Sequence, residues 1–284
     1  MQPGAITRTD PLAELRAAIT SSGPLEALSP DTYARDHAAF ETCSNQRGLI
    51  ADWLEQRLTA SDSDPLSVLA VGCGDGELDA EVAGRLVNPD GPQRSVRYVG
   101  VEPFEVSAAL FTKRMGSISR VRLSVDTVVA PFDEAIRDEA IGEAFNVVTF
   151  VHSMYYVPDV AQAALDAYRL LSVGGEVVVL SAPRGALNLL AGLLAPPIEG
   201  HRQWFSDDVR AGLKASGLDV ESTGTIDGVV DLTEATDDVL DFTVQARLTP
   251  MLRGLVRTYL TEVSVVEGRS VVPHPVDTYV MRRG

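Results

Sequence analysis

The sequence predicts an α/β fold with a doubly wound, mostly parallel sheet covered by helices. Two observations lead to this prediction. Short apolar runs dominated by Val and Leu recur along the chain, as in strands that are buried on both faces. A longer amphipathic segment follows each of the first runs, and strand–helix units in series build a parallel sheet.

The predicted elements alternate along most of the chain. Five strands are predicted from the apolar runs that begin at Ser67, Val96, Arg120, Phe145 and Gly175, and a last strand from VDTYVMRR at Val276. Helices are predicted at 77–86, 104–115, 133–139, 160–171, 204–216, 236–245 and 250–263. Ser206 is the predicted cap of the 204–216 helix. The acidic run that begins at Thr236 is the predicted cap of the 236–245 helix.

The N-terminal part has a different character. Residues 1–30 are rich in Pro, Gly and Ser, and we expect them to be mobile or loosely packed. A helix is predicted from Asp31 to Leu58, with Ser29 or Asp31 as its cap, before the breaker SDSDP. The sequence thus predicts an N-terminal helical cover of the functional site over residues 1–60 and one α/β domain over residues 61–284.

The charge and the cysteines restrict the classes of function. The 284 residues carry 24 basic and 40 acidic side chains, a net charge of −16, which disfavours nucleic acid and anionic membranes as partners. No apolar run reaches the roughly 18–20 residues that cross a bilayer, and residues 1–15 lack the apolar stretch of a secretory signal. Cys43 and Cys73 have no metal-site spacing, so we expect reduced thiols, no metal and a cytoplasmic protein. Monomer and homodimer are both compatible with the sequence.

The loop VGCGDGELDA, which begins at Val71, is the strongest functional signal. Gly72, Gly74 and Gly76 follow a predicted strand directly and open a helix. Glycine allows a sharp turn and a close approach of a ligand to the backbone, and the helix start offers free N–H groups. The second strand ends in Glu102-Pro103, and an acid at that place can accept hydrogen bonds from both hydroxyls of a ribose.

The loop differs at specific positions from other glycine-rich turns that bind nucleotides. A nicotinamide site requires a third glycine where Glu77 stands, and a P-loop requires a Gly-Lys-Ser/Thr ending that is missing. A glycine turn in an unrelated α/β protein remains an alternative. The pattern G-x-G-x-G before a strand that ends in an acid resembles class I methyltransferases. That resemblance implies a Rossmann-like, seven-stranded sheet, S-adenosylmethionine as cofactor and S-adenosylhomocysteine as product.

A closer resemblance rests on three motifs together. GCGDGELD, VEP and HSMYYVPD, which follows the fourth strand, resemble the histamine N-methyltransferase-like family over roughly residues 28–182. On that resemblance, Gly72, Glu102 and Val151 contact the cofactor, and His152 stands where the family has a substrate-contacting glutamine. Tyr33 matches a substrate-side tyrosine.

The departures from the family pattern concern the methyl acceptor. Gln46 stands where the family's acid holds the substrate amine, and His274 falls near an asparagine that touches the imidazole of histamine. Ala186 and Leu190 stand in place of two pocket tryptophans. These departures favour another aromatic or heteroaromatic acceptor over histamine.

Histidine is the side chain best suited to remove a proton near neutral pH. His152, at the carboxyl end of a predicted strand, and His274 are the predicted catalytic residues, while His37 lies one helical turn past Tyr33 and His201 in a Pro/Gly-rich loop that could form a lid. The predicted substrate-binding residues are Tyr33, His37, Gln46, Tyr155, Tyr156 and His274. The predicted cofactor-binding residues are Gly72, Gly74, Gly76, Glu102, Pro103, Ser107, Asp126, Thr127, Val151 and His152.

These observations predict a methyltransferase that acts on a small aromatic or heteroaromatic metabolite of indole or amine type, at nitrogen or carbon. The 22 arginines against two lysines are consistent with a bacterial secondary-metabolite pathway. Two alternatives stay open: a non-catalytic, regulatory module that binds the cofactor, and an O-methyltransferase of peptides or carboxylates.

Overall fold

A computed structural model describes residues 10–88, 94–118, 121–142, 144–196 and 205–284. The helices are α1 (Pro11–Ser22), α2 (Pro30–Glu41), α3 (Gln46–Thr59), α4 (Glu77–Leu86), α5 (Glu105–Ser117), α6 (Phe132–Arg137), α7 (Val160–Arg169), α8 (Ala186–Leu194), α9 (Ser206–Ala215), α10 (Asp237–Val244) and α11 (Pro250–Glu262). The strands are β1 (Glu26–Ala27), β2 (Leu66–Val71), β3 (Val96–Val101), β4 (Leu123–Val128), β5 (Phe145–Val151), β6 (Leu171–Ser181), β7 (Glu221–Ile226), β8 (Val229–Asp231), β9 (Ala246–Arg247), β10 (Val271–Pro273) and β11 (Val276–Arg282).

Seven strands form one sheet in the order β4-β3-β2-β5-β6-β11-β7. The first five run parallel, and β11 is antiparallel to both β6 and β7. The predicted doubly wound, mostly parallel seven-stranded sheet is therefore confirmed. The strand order reverses between β2 and β5, and in open α/β sheets ligands bind beyond the carboxyl ends of the strands at such a switch point.

The chain divides into two compact units. The first comprises Met1–Gln46, Arg184–His201 and Asp227–Pro275; the second comprises Arg47–Pro183, Arg202–Ile226 and Val276–Gly284 and holds the sheet. This division differs from the predicted boundary at residue 60, because residues 47–60 belong with the sheet and two later segments belong with the N-terminal helices. That the N-terminal helices cover an active site stays a prediction.

In the second unit the core lies on both faces of the sheet. Alternate residues of each strand point to opposite faces, so Val177 and Val179 of β6 enter one buried cluster while Val178 and Leu180 enter the other. This two-sided burial explains the continuous apolar runs in the sequence. The first unit has its own core, built around α1, α2, α8, α10 and α11.

Several sequence-based expectations were wrong in detail. The helix predicted from Asp31 to Leu58 is interrupted between α2 and α3. Part of the segment expected to be loosely packed forms α1, because Leu15 is fully buried in the core of the first unit. Ser29 does cap α2 by accepting a hydrogen bond from the Thr32 N–H at 3.3 Å. Ser206 is not the cap of α9 but its first helical residue.

Candidate cofactor and active site

Gly72 lies where β2 turns away from the sheet. Its φ is +67°, and a Cβ added there would stand only 2.4 Å from the Cβ of Ser153. The Ser153 hydroxyl donates to the carbonyl oxygen of Val71 at 2.5 Å, and Ser153 is 6% exposed. Glycine is therefore needed here because the loop packs directly against the segment that follows β5.

Gly74 has a different environment. Its φ is +56°, but no atom of the described residues lies within 4 Å of a Cβ placed there. Its N–H donates to Oε2 of Glu102 at 3.0 Å. The backbone at Gly74 is thus open on one side, as a loop that receives a ligand requires. Gly76 immediately precedes α4.

Glu102 follows the last residue of β3 and is 5% exposed. Burial raises the pKa of its carboxyl group, and the N–H groups of Phe104 and Gly74 counteract that rise. Oε1 accepts from the Phe104 N–H at 3.2 Å, and Oε2 accepts from Gly74. Since a carboxylate oxygen has two lone pairs, each oxygen keeps one acceptor position for a ribose hydroxyl. Pro103 is exposed beside it, and Ser107 is half-buried on α5.

A second buried acid lies near the loop. Asp79 of α4 is 9% exposed, and Tyr98 of β3 donates its hydroxyl to Oδ1 of Asp79 at 2.6 Å. Burial raises the pKa of Asp79 to about 6, although the hydrogen bond from Tyr98 lowers it. Burial, together with Asp79 and Glu102, also raises the pKa of the Cys73 thiol, so this thiol is protonated and unreactive near neutral pH.

Two of the predicted cofactor-binding residues, Asp126 and Thr127, lie on a strand. Asp126 and Thr127 are inside β4 rather than after its end, because the strand runs from Leu123 to Val128. Asp126 is exposed, and the Thr127 hydroxyl lies 2.9 Å from that of Thr112 on α5. Their contact with the cofactor stays a prediction.

His152 directly follows Val151, the last residue of β5. Its backbone is left-handed, with φ at +51°, and its N–H donates to the Leu180 carbonyl at 3.0 Å. Non-glycine residues in this conformation concentrate at functional sites, because the surrounding structure must hold them there. Only one peptide bond separates His152 from Ser153, which contacts the glycine loop.

Tyr155 holds the imidazole of His152. The Nδ1 atom of His152 lies 3.0 Å from the Tyr155 hydroxyl, which also accepts the N–H of Ala182 at 2.6 Å. Burial raises the pKa of Tyr155 to about 12, so the phenol stays protonated. Tyr156 is 67% exposed, with its ring edge-on to Tyr155 at 6.2 Å.

The first unit holds an aromatic group on α2 and α10. The ring of Phe242 has three neighbouring rings on α2. Its centroid lies 5.1 Å from that of Tyr33, 5.3 Å from that of His37 and 5.1 Å from that of Phe40. Tyr33 is 38% exposed, whereas Phe242 is 8% exposed. Nε2 of His37 is 3.5 Å from a carboxylate oxygen of Glu41, one turn further along the helix.

His274 and Gln46 meet in the same unit. The Nε2 of Gln46 donates to the backbone carbonyl of His274 at 2.7 Å, and the Gln46 side chain is buried. The imidazole Nδ1 of His274 lies 3.0 Å from the Ser44 hydroxyl, and Phe40 contacts the ring edge-on at 5.5 Å. Burial lowers the pKa of His274 to about 4, so the imidazole is neutral near pH 7.

The structure therefore sorts the predicted site residues into two groups. The glycine loop, Glu102, His152 and Tyr155 belong to the second unit, and Tyr33, His37, Gln46 and His274 to the first. Two residues stand where the histamine N-methyltransferase-like family has pocket tryptophans. Of these, Leu190 is fully buried in the core of the first unit, and Ala186 is partly buried there. His201 lies outside the described residues.

Sequence reasoning missed the side chains that support these groups. Ser153, Ser206 and Asp277 are ordinary polar residues in sequence, and only their burial and hydrogen bonds single them out. In the described ranges, no group of His, Cys, Asp and Glu has the arrangement of a metal site. Nor does any described helix combine the length and apolar character that a membrane crossing requires.

Comparison with protein families shows which family the chain belongs to. Residues 43–223, well over half of the chain, match the model of a methyltransferase domain. The chain belongs to this methyltransferase family. Its members use S-adenosylmethionine as methyl donor, so the predicted enzyme class and cofactor are confirmed. The open backbone at Gly74 and the free lone pairs of Glu102 fit such a cofactor.

Individual relatives are distant. The ubiquinone biosynthesis O-methyltransferase of Pseudomonas entomophila is 25% identical over 152 residues, which is 54% of this chain and 58% of that protein. The chain thus matches less than two thirds of that relative's length. The methyltransferase of Bacillus halodurans superposes with a TM-score of 0.52 at 16% identity, covering 80% of this chain and 95% of that one.

A further solved structure is similar over almost the whole chain. It is the plantazolicin methyltransferase BamL, in complex with a triazolic substrate analogue and S-adenosylhomocysteine. The TM-score is 0.50 at 14% identity, covering 96% of this chain and 97% of that one. At such identities these likenesses establish the fold alone.

Proposed function

We propose that this methyltransferase transfers the methyl group of S-adenosylmethionine to a small aromatic or heteroaromatic metabolite, with His152 as the base that accepts the acceptor's proton. The observation that carries the proposal is the placement of His152. It follows β5 in a left-handed conformation, is held by Tyr155, and is joined through Ser153 to the glycine loop. The finer resemblance to the histamine N-methyltransferase-like family, and a place in secondary metabolism, belong to this proposal.

The proposed cofactor site uses backbone and carboxylate groups. Gly72 lets the loop pack on Ser153, Gly74 leaves the main chain open to the ligand, and Glu102 accepts hydrogen bonds from the ribose. The bound cofactor supplies a sulfonium methyl group that is transferred by an in-line displacement. The chain contributes orientation, because holding the reacting groups in line supplies much of the rate enhancement.

As a base, His152 accepts the proton on one of its two ring nitrogens. Its Nδ1 is engaged with the Tyr155 hydroxyl, and donation from Nδ1–H to that oxygen leaves the lone pair on Nε2. A neutral amine acceptor needs little such help, whereas a hydroxyl or an activated ring carbon benefits from a base. The held imidazole therefore favours an acceptor that loses its proton during transfer.

A phenolic oxygen is the second candidate acceptor atom. It is favoured by the similarity to ubiquinone biosynthesis O-methyltransferases, together with the held imidazole of His152. Two further alternatives are a module that binds the cofactor without transferring a methyl group and an O-methyltransferase of peptides or carboxylates.

Calorimetry with S-adenosylmethionine and S-adenosylhomocysteine tests the cofactor site. We expect saturable binding of both, and no binding at high micromolar ligand would refute the proposal. A panel of phenols, indoles, aromatic amines, carboxylates and short peptides then tests the acceptor, with methylation followed by mass spectrometry. Cofactor binding without methylation of any member would favour the non-catalytic module.

Replacing His152 by Asn tests the base. Asn tolerates a left-handed backbone but cannot accept the proton, so we expect turnover to fall about 10-fold or more with unchanged cofactor affinity. His152→Ala removes the imidazole and also introduces backbone strain, because alanine rarely adopts a left-handed conformation. Glu139→Ala is its matched control, because Glu139 is exposed with φ at +49°. Full turnover in His152→Asn would reduce His152 to a packing residue.

A further inference from the structure

Polar side chains of the second unit form a hydrogen-bonded chain around the buried hydroxyl of Ser206. The Ser206 hydroxyl is 2.5 Å from Oδ2 of Asp277 and 2.6 Å from the hydroxyl of Tyr279. The Thr225 hydroxyl donates to the other carboxylate oxygen, Oδ1, at 2.8 Å. Ser206 is 1% exposed and Tyr279 4% exposed, whereas Asp277 is half-buried and Thr225 is exposed.

The direction of these hydrogen bonds follows from their chemistry. An ionised carboxylate can only accept, so the Ser206 hydroxyl donates its one proton to Asp277. The Ser206 oxygen must then accept from Tyr279, whose pKa is raised by burial and which therefore keeps its proton. The chain runs from Tyr279 through Ser206 to Asp277, and its last bond is strengthened by the charge.

The same serine holds the backbone next to Tyr155. The N–H of Ser206 donates to the Ala182 carbonyl at 2.9 Å, and the N–H of Ala182 donates to the Tyr155 hydroxyl at 2.6 Å. Tyr155 in turn meets Nδ1 of His152 at 3.0 Å. Asp277 is also the cross-strand partner of Ser181, so it stands at the carboxyl end of β6 beside this group.

We infer that Asp277 is a positioning residue for His152, acting through Ser206, Ala182 and Tyr155. It fixes Ser206 at the start of α9, Ser206 fixes Ala182, and Ala182 fixes the phenol that orients the imidazole. The two buried hydroxyls of Ser206 and Tyr279 cost desolvation free energy that apolar side chains would not. The inference rests on the proposed role of His152.

The test combines kinetics with a spectroscopic signature of His152. Asp277→Ala and Ser206→Ala are compared with Asp277→Asn, which keeps an acceptor for Ser206 and can donate to Thr225. We expect kcat to fall roughly 10- to 100-fold in the alanine variants, since a misplacement of about 1 Å at a catalytic group has effects of this size. Cofactor affinity should stay unchanged, and Asp277→Asn should restore kcat to within about 3-fold of the parent. Asp133→Ala is the matched control, since Asp133 is an exposed acid on α6 in the same unit.

The imidazole ¹⁵N resonances of His152, assigned by their loss in His152→Asn, give a readout that does not depend on turnover. We expect the Nδ1 resonance to shift in both alanine variants and to return in Asp277→Asn. Unchanged His152 resonances in soluble alanine variants would overturn the inference, as would a kcat loss that Asp277→Asn fails to rescue. If Asp277→Ala does not fold, the same kcat and ¹⁵N measurements on Ser206→Ala and Asp277→Asn test the inference. Full turnover in His152→Asn would instead refute the proposed base while leaving the spectroscopic result intact.

Discussion

Alanine at Gly72 and alanine at Gly74 should have different consequences, although both glycines are left-handed. At Gly72 the left-handed conformation costs roughly 1–2 kcal/mol. The new Cβ would also stand 2.4 Å from the rigid Cβ of Ser153, an overpacking that costs roughly 1–3 kcal/mol more. At Gly74 only the first cost applies, because no described atom lies within 4 Å of the added Cβ.

Gly174 provides the matched control in the same unit. Its φ is +79° and an added Cβ there meets nothing within 4 Å, so Gly174→Ala introduces the left-handed strain alone. Urea unfolding should rank Gly174→Ala and Gly74→Ala together, with Gly72→Ala less stable than both. Calorimetry with S-adenosylhomocysteine should show about 10-fold or greater weakening in Gly74→Ala and none in Gly174→Ala, because the ligand would meet the new methyl group.

Two results would refute this reasoning. If Gly72→Ala is no less stable than Gly174→Ala, then the contact with Ser153 does not explain the glycine. If Gly74→Ala binds S-adenosylhomocysteine as tightly as the parent, then the ligand does not approach the backbone at that position.

Three further predictions concern buried titratable groups. Glu102→Gln should weaken S-adenosylmethionine binding about 10-fold in calorimetry, since the neutral amide accepts ribose hydroxyls less strongly; equal affinity would exclude Glu102 from the cofactor site. His274 has a pKa lowered to about 4 in the folded state, so the unfolded chain binds the extra proton and stability falls as pH falls from about 6.5 to 4, by at most about 3 kcal/mol. His274→Asn should flatten urea-unfolding stability across that range, and an unchanged slope would contradict the shift. Asp79 has a pKa raised to about 6 in the folded state, so the unfolded chain releases this proton first and stability falls as pH rises from about 4 to about 6. Asp79→Asn should therefore be more stable at pH 7.5 by roughly 2–3 kcal/mol, a gain that disappears near pH 4. No gain at pH 7.5 would contradict the raised pKa, because it would show that hydrogen bonds offset the desolvation cost of the ionised Asp79 carboxylate.

The fold followed from the sequence wherever both faces of a strand are buried. Such strands appear in the sequence as continuous Val and Leu runs, and the predicted starts of β2, β3 and β5 lie within one residue of the observed starts. Helix α4 was placed at its observed bounds because the glycine loop marks its start. The break between α2 and α3 was missed, since Ser44 bridges to Val230 there and a contact so distant in sequence leaves no local signal.

The candidate site was only partly predictable. The glycine loop and Glu102 each follow an apolar run directly, so the sequence alone pointed to them, and their contacts with the cofactor stay a prediction. The roles of neighbouring polar residues depend on burial and partners. Ser206 resembled a helix cap, yet its hydroxyl binds Asp277, 71 positions along the chain.

The sequence by itself determined the sheet, its strand–helix alternation and the chemistry of the cofactor loop, because backbone geometry and glycine impose these locally. The tertiary structure decided which glycine packs and which stays open, and which side chains support His152. It did so because Gly72 meets Ser153, and Tyr155 meets Ala182, only after β2, β5 and β6 align their carboxyl ends. Those contacts join residues far apart in the chain, and their free energy depends on burial that no local pattern records.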